Sequence, residues 1–477
     1  MSTRRQFLKT AAAGALAAHS AAQSRRKPNV LFIFSDQHRA CSMPGEPFND
    51  ADAPNLARLA REGLTARNCI SNYPVCSPCR GILLSGRWPY QTGIIDNSHP
   101  LKESETSLGE VFRRNGYRTG YIGKWHLDAR GAEGRAWRPP GSRHGFDEWH
   151  AWYNTNPHFD KSYTFDLKTR ERLQPEGYNA TLMTDTTLDF IERHGDEPWM
   201  LTVAWNPPHP PFLDAPPDLM KRYEPGGLKL RPNAVETVGR AAYGPTDWPA
   251  RDNLQGYNAH ITAIDREMGR ILDKLDETGQ TENTIVVYTS DHGEMMGSQG
   301  RTGKRLPYDE SCKVPFVVRY PGAVPAGART DELLSAIDLY QTMCGLAGLD
   351  APVHCQGEDL SSILQGAKRA GPEHTFLMHI EKDHASGGRN HPAPIFRGIR
   401  TKRYTYAVGE IGRWCLYDNQ NDPYQQSNLV SRERHRGLMR DLDGVIADYL
   451  TRAEDRFPLV TLRARREFSG PRTWVNI

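Results

Sequence analysis

No basic tract, no long apolar run and no cysteine framework appears in this chain, and each absence closes off a class of function. Lysine and arginine number 60 against 57 acidic residues, a formal charge of +3, and they gather into no stripe. No nucleic-acid partner is expected, because phosphate-backbone binding needs such a footprint. Beyond the N-terminal segment the apolar runs are too short to cross a bilayer, so no stable membrane anchor is expected. The eight cysteines, at 41, 69, 76, 79, 312, 344, 355 and 415, follow no framework spacing, so few or no structural disulfides are expected. Cys76 and Cys79 form a C-x-x-C, but no second ligand pair at zinc spacing accompanies it.

What is present is ordinary for a globular protein: 38% hydrophobic and 25% charged residues over 477 positions. That length fits a large α/β core with a smaller unit appended. Residues 1–24 read as a targeting segment. Arg4-Arg5-Gln6-Phe7-Leu8-Lys9 precedes a weakly apolar, alanine-rich stretch at 11–18, and Ser20-Ala21-Ala22 fits a cleavage site. A general secretory signal has the same outline; the weak hydrophobicity and the Phe-Leu-Lys after the arginine pair favour the twin-arginine export machinery. Either route places the protein outside the cytoplasm, periplasmic or secreted.

Uninterrupted apolar runs at 29–35, 198–205 and 284–290 are the mark of strands buried on both faces of a parallel sheet. Further strands are expected at 66–71, 117–122 and 314–320, and helices at 55–62, 107–115, 179–194, 252–279 and 333–346. Residues 129–166, rich in Trp, Arg, Gly and Pro without periodicity, read as a long loop. This alternation predicts an α/β fold, a large mixed and mostly parallel sheet between helices. Near residue 371 the pattern changes to short strands at 375–380, 396–399, 404–408 and 414–417, then a helix at 432–450. We therefore expect a catalytic domain at 25–370 and a smaller antiparallel α+β subdomain at 371–477.

The stretch 76–86 reads C-S-P-C-R-G-I-L-L-S-G. Pro78 is tolerated only in a first helical turn, which puts Cys76 at a helix start, and Arg80 projects from the same face one turn on. A thiol at the positive end of a helix, backed by a guanidinium, suits an anion. A redox pair and two buried small hydrophobes are alternative readings of the same cysteines. C-x-P-x-R followed by the Gly-rich helix to Ser85-Gly86-Arg87 resembles the signature of the sulfatases. In that family, part of the alkaline phosphatase superfamily, a formylglycine-generating enzyme oxidises the first cysteine to formylglycine, whose hydrated aldehyde is the nucleophile. The resemblance implies that role for Cys76 and an alkaline-phosphatase-like fold.

Ligands of open α/β sheets bind at the carboxyl ends of the strands. Asp36, Gln37, Lys124, His126, His209, Asp291 and His292 all follow expected buried strands. Asp36, Gln37, Asp291 and His292 offer two carboxylates, an amide oxygen and an imidazole, a set for one divalent cation beside Cys76. The sulfatase resemblance implies Ca2+ there, although Gln37 replaces the commoner aspartate and His292 is a softer ligand; Mn2+, Mg2+ and Zn2+ stay open. Gly123-Lys124-Trp125-His126-Leu127 resembles a second family signature, Pro-Pro-His209-Pro-Pro the loop of the leaving-group histidine, and the segment 303–311 the one whose lysine grips sulfate, here Lys304 with Arg305 as the alternative. Ser335-Ala336-Ile337-Asp338-Leu339 and stretches within 416–429 are similar to further family landmarks, so the resemblance spans nearly the whole chain past its signal. It implies that Arg80, Lys124 and Lys304 gather positive charge on a sulfate ester, that His209 protonates the departing oxygen and that His126 takes up a proton. Trp137, Arg138, Arg143, His144, Trp149, Trp152, Tyr153, Arg389 and His391 are candidates to line a sugar pocket. Export favours a sulfated carbohydrate over a small aryl sulfate. A phosphonate monoester or phosphodiester hydrolase, and a silent sugar-binding relative, are the alternatives.

Overall fold

The computed structural model describes residues 27–128, 140–152, 156–159, 164–165, 172–173, 176–239, 247–381 and 394–458. The targeting segment, Trp137, Arg138, Tyr153, Arg389, His391 and the side chain of Trp152 lie outside the described residues.

One sheet takes, in chain order, β1 (Asn29–Ser35), β2 (Leu64–Ile70), β3 (Arg118–Lys124), β4 (Glu148–Trp152), β5 (Trp199–Trp205), β6 (Thr284–Ser290), β7 (Lys313–Val314), β8 (Phe316–Arg319) and β9 (Ala328–Ser335). Across the sheet the order is β7-β2-β8-β6-β1-β5-β3-β4, with β9 beside β2. β1 is parallel to β5 and β6, β3 to β4 and β5, and β9 to β2. Of these strands, only β7 and β8 run antiparallel to their neighbours. β1, β2, β3, β5 and β6 therefore deliver their carboxyl ends to one edge.

Every residue of β1, β5 and β6 is buried. Alternation along β1 divides them between the two faces. Val30, Phe32 and Phe34 join the apolar cluster under helices α2 (Cys76–Ser85), α3 (Leu108–Arg114) and α6 (Ala336–Leu346). Leu31 and Ile33 join the cluster under α1 (Pro54–Glu62), α4 (Asn179–Arg193) and the 28-residue α5 (Ala250–Glu277). Truncating a ring such as Phe34 to alanine costs about 3–5 kcal/mol.

Beyond it lies a second, antiparallel sheet, β10 (His374–His379), β11 (Phe396–Thr401), β12 (Tyr404–Gly409) and β13 (Gly412–Asp418), with helix α7 (Arg436–Arg452) after it. Phe376, Met378, Ile399 and Tyr406 share the apolar cluster of Leu84 and Trp88, so the second sheet packs onto the α2 side of the first. All eight cysteines are free thiols. Among the described residues no helix is long and apolar enough to cross a membrane.

Two expectations change. Leu333, Leu334 and Ser335 end strand β9 instead of opening a helix; the helix begins at Ala336, with Ser335 capping it in a box with Asp338. The expected loop at 129–166 contains strand β4, paired with β3. Trp149 on β4 packs on Tyr121 and Trp125, with ring centroids 5.4 and 4.9 Å away, and His144 stacks on Trp125 at 5.2 Å. Arg143, His144 and Trp149 are all buried, His144 and Trp149 in that aromatic packing.

Candidate active site

Register brings the acidic pair together. Ser35 ends β1 opposite Ser290 of β6 and Trp205 of β5, so the residues after them leave the sheet side by side. The Asp36 N–H donates to Trp205 O at 3.0 Å and the Asp291 N–H to Ser35 O at 3.2 Å. The loop after β6 folds tightly against residues 309–312. A Cβ on Gly293 would stand 2.0 Å from the Glu310 carbonyl oxygen, so only glycine fits there.

Helix α2 enters from below with Val75 as its N-cap and Cys76 as its first residue, and all ten of its residues are buried. No side chain caps it at Val75; Asn97 Oδ1 accepts the Ser77 N–H at 3.0 Å. The two thiols of the C-x-x-C separate. Cys79 turns into the apolar core, where burial pushes its pKa well above the ordinary value and only Ser71 Oγ, at 3.4 Å, donates to its sulfur. Cys76 turns into a polar cluster. Its Sγ lies 3.2 Å from Lys304 Nζ, 3.2 Å from His292 Nε2 and 3.7 Å from Asp36 Oδ1. Burial opposes ionisation of this thiol, but Lys304, Lys124 and His292 outweigh it and hold the pKa well below the ordinary range. Only one of the two thiols is activated.

Arg80 sits one turn on, fully buried, and all three guanidinium nitrogens are engaged. Nε donates to Asp291 Oδ2 at 3.0 Å, Nη2 to Asp36 Oδ2 at 3.0 Å and Nη1 to Lys124 O at 2.5 Å. Its planar head lies 5.0 Å from the Phe34 ring centroid. It braces the two carboxylates more than it faces an incoming anion. Lys124 Nζ reaches Asp36 Oδ2 at 2.6 Å. His126 also hydrogen-bonds Cys76. Lys124 and His126 converge by a route different from strand alternation: Gly123 has φ +111° and His126 φ +54°, so the chain turns as β3 ends. A Cβ on Gly123 would meet Ala204 O at 2.2 Å.

His209 completes the rim. Its Nδ1 donates to Pro210 O at 2.6 Å, which leaves Nε2 as the working nitrogen. Burial first and then Lys124 push its pKa down to about 4, and Cys76 is among its hydrogen-bond partners. His158, a residue that carries no sequence signal, donates from Nε2 to the His209 carbonyl at 2.7 Å and fixes the loop.

Gln37 has φ +74° and carries a second missed residue with it. Its Oε1 accepts from Lys304 Nζ at 2.7 Å, and its Nε2 donates to the buried carboxylate of Glu294. Glu294 Oε1 in turn accepts the N–H groups of Met296 at 3.0 Å and Gly303 at 2.6 Å. Nothing in the spelling of residues 291–294 marks Glu294 for this role.

Asp36, Cys76, Asp291 and His292 form a buried group whose ligand atoms all lie within 4.8 Å of one another, a group able to hold a metal ion. The electrostatics fit a cation. Burial and the Asp36 charge push Asp291 up to about 6, while Asp36, opposed by burial and Cys76, is held low by Lys124, His209 and Arg80. Two carboxylates this close resist joint ionisation, and an added positive charge between them removes the conflict.

The structure thus brings Asp36, Gln37, Cys76, Arg80, Lys124, His126, His209, Asp291, His292 and Lys304 to one place. The chain matches the family model for sulfatases over residues 28–349, and that for the C-terminal part of N-sulphoglucosamine sulphohydrolase over 297–451. It is 34% identical to an ulvan-active sulfatase of Formosa agariphila over 443 residues, which cover 90% of this chain and 82% of that one. It is 30% identical to an endo-4-O-sulfatase of Bacteroides thetaiotaomicron, covering 88% and 91% of the two chains. A solved Bacteroides thetaiotaomicron structure labelled a 4S-sulf, described in connection with glycosaminoglycan metabolism, superposes with a TM-score of 0.80 at 27% identity, over 92% of this chain and 99% of that one. With the strand-end cluster, these matches make the chain a member of the sulfatase family, a sulfuric ester hydrolase on the alkaline-phosphatase-like fold.

Proposed function

We propose that this chain is an exported sulfatase that removes sulfate from a sulfated carbohydrate, with Cys76 oxidised to formylglycine by a formylglycine-generating enzyme. One divalent cation, Ca2+ before Mn2+, Mg2+ or Zn2+, sits among Asp36, Gln37, Asp291, His292 and residue 76. The observation that carries this reading is the placement of Cys76 Sγ, at a helix start, 3.2 Å from both Lys304 Nζ and His292 Nε2. The sugar preference rests on the relatives, whose names specify ulvan and 4-O-sulfate. Export rests on the twin arginine of the first 24 residues, which addresses the chain to the twin-arginine machinery. The division into 25–370 and 371–477 rests on the second sheet beginning at His374.

When present, the cation supplies Lewis-acid stabilisation of anionic oxygens, and formylglycine supplies a hydroxyl nucleophile with a second hydroxyl through which the aldehyde re-forms. The chain's own residues do the rest. Lys124 Nζ and Lys304 Nζ bring two ammonium charges to the oxygens of the sulfate ester, in a site dry enough to strengthen them. Arg80 locks Asp36 and Asp291, so the carboxylates do not move when the substrate arrives. His209 holds the proton destined for the leaving oxygen at Nε2. It is neutral at pH 7 in the free site, and the negative charge of a bound sulfate ester favours its protonated form. His126, with a pKa lowered to about 4 by burial, is a neutral base against residue 76.

The test has two parts. Mass spectrometry of the peptide containing residue 76, from protein made in its host, reads the aldehyde directly. Ion chromatography of sulfate released from a panel of sulfated glycans and an aryl sulfate reads the activity. An intact thiol in active protein would refute the formylglycine assignment, and release from the aryl ester alone would refute the sugar preference.

A further inference from the structure

The segment that carries His209, Asn206-Pro207-Pro208-His209-Pro210-Pro211, contains four prolines, four positions with no N–H to give. Whatever fixes such a segment has to donate to its carbonyls. Three consecutive carbonyls are gripped, each by an imidazole. His158 Nε2 donates to His209 O at 2.7 Å, His209 Nδ1 to Pro210 O at 2.6 Å and His260 Nε2 to Pro211 O at 3.3 Å. The next carbonyl, that of Phe212, lies so close to α5 that a Cβ on Gly256 would stand 2.0 Å from its oxygen. Gly256 and His260 are one turn apart, so α5 presents a glycine and a histidine to one stretch of backbone.

The two supporting rings are fully buried and packed together, with centroids 4.3 Å apart. A carbonyl only accepts, so each ring carries its hydrogen on Nε2. Burial keeps each ring neutral, so each Nδ1 is an acceptor. Their neighbours agree with that tautomer. The Tyr178 hydroxyl donates to His260 Nδ1 at 2.7 Å, and the side-chain amides of Asn179 and Asn206 face His158 Nδ1 at 3.4 and 3.5 Å. His158 is itself anchored to the far end of the loop, where its N–H donates to Asp214 Oδ2 at 2.6 Å.

Pro210 O, the acceptor that orients the His209 ring, lies between the two carbonyls gripped from outside. A shift of either neighbour moves Pro210 O, and with it the direction of His209 Nε2. We propose that His158 and His260 are positioning residues for the leaving-group proton, acting through His209. Their Nε2–H groups fix the carbonyls on either side of Pro210 O, and Pro210 O fixes the ring that holds the proton. The inference rests on the reading of His209 as the acid and adds to it the two residues that aim that acid.

The test removes the donor and keeps a ring. The wild type, His158→Phe, His260→Phe, His158→Gln and His209→Ala are assayed on phenyl sulfate and on nitrophenyl sulfate. Crystal structures of His158→Phe and His158→Gln are read at Pro210 O and at the His209 ring, which decides the matter even where neither ester is turned over. His158→Phe and His260→Phe are expected to lose at least about fivefold more kcat on phenyl sulfate, the poorer leaving group, than on nitrophenyl sulfate, with KM little changed. His158→Gln, whose terminal amide donates to the same carbonyl, restores the wild-type ratio and the ring orientation. Adding His158→Phe to His209→Ala costs nothing further, because the two residues act as one unit. Equal loss on both esters, no loss, a glutamine variant no better than the phenylalanine one, an additive double variant, or a His209 ring that keeps its place in His158→Phe overturns the proposal. Failure of the acid reading is a separate outcome, visible in His209→Ala by itself as equal loss on both esters.

Discussion

Replacing Glu294 by glutamine removes one charge and no volume, and the surrounding chain of hydrogen bonds determines its effect on Lys304. Oε1 of Glu294 is fixed by two backbone N–H groups, from Met296 and Gly303, so the carbonyl oxygen of the new amide takes that place. Its NH2 then points at Gln37, whose own Nε2 now donates to Glu294. One of the two must turn, and if Gln37 flips, its NH2 faces Lys304 Nζ, donor against donor, where an oxygen now accepts at 2.7 Å. Lys304 loses the acceptor that aims it at residue 76. A hydrogen bond to a charged group contributes about 1.5–3 kcal/mol, which at ~1.4 kcal/mol per decade is roughly a ten- to hundredfold fall in kcat/KM. Adding Gln37→Glu to Glu294→Gln reverses the polarity of the pair. A carboxylate at 37 accepts from both the amide at 294 and Lys304, and activity recovers. Initial rates of sulfate release, with circular dichroism to confirm folding, decide the matter. A single variant that keeps more than half of the wild-type rate, or a double variant no faster than the single one, refutes the reasoning.

Arg80→Ala takes from Asp291 its guanidinium partner and leaves Asp36 with Lys124 alone, in the core. Breaking a buried pair costs about 3–5 kcal/mol, so the thermal midpoint falls and turnover drops at least a hundredfold; an unchanged melting curve would sink the bracing role. His209→Ala slows hydrolysis of esters of poorly acidic alcohols far more than of nitrophenyl-type esters, because only the former need the proton; equal loss on both substrates rules out His209 as the acid. Chelation lowers both the rate and the melting temperature, since a cation at 100 times its Kd contributes ~2.7 kcal/mol, and added Ca2+ restores both; a chelated protein that melts and turns over unchanged contradicts the metal assignment. His38 and His158 are buried and neutral, each with its pKa pushed down to about 4, by burial first. The unfolded chain binds these protons at about 6.5, so stability is complete above that pH and falls as the pH drops towards 4, by on the order of 3 kcal/mol per histidine. A flat melting temperature between pH 7 and 4.5 contradicts the burial of both as neutral rings.

The parts of this fold that can be read from the chain alone are those in which one residue type repeats a single instruction. T-I-V-V-Y-T-S and N-V-L-F-I-F-S have no polar face, so they must lie inside a sheet, and the polar residue after each must lie at its edge. Asp36, Lys124, Asp291 and His292 are legible for that reason. Strand β9 is harder: A-R-T-D-E-L-L-S is made largely of helix formers, and its extended form comes from pairing with β2, a contact 264 residues away between Arg329 and Thr65. Strand β4 hides in a loop composition because its buried partners are aromatic rings on β3 and beyond. Glu294 and His158 are silent in the sequence because their importance lies in what they hold. No spacing rule links residue 294 to Gln37, or residue 158 to the carbonyl of His209. The backbone turns at Gln37 and His126, both with positive φ and neither a glycine, are tertiary effects that local propensity argues against.

Cys76 is 1% exposed in the first turn of a helix buried along its whole length, under a sheet edge closed by Lys304 and Arg80. Under the proposed function, an enzyme that oxidises this thiol has to reach it before α2 is buried, because the finished fold leaves the sulfur almost no exposed surface. On that proposal the modification is in a race with folding. Every chain that closes its sheet first is locked as the thiol form and is, on this reading, permanently inactive. The specific activity of a preparation then measures how the rate of oxidation compared with the rate of folding during synthesis. Slowing the closure of β6 against β1, or lowering the growth temperature, should raise the active fraction without altering a single residue of the site.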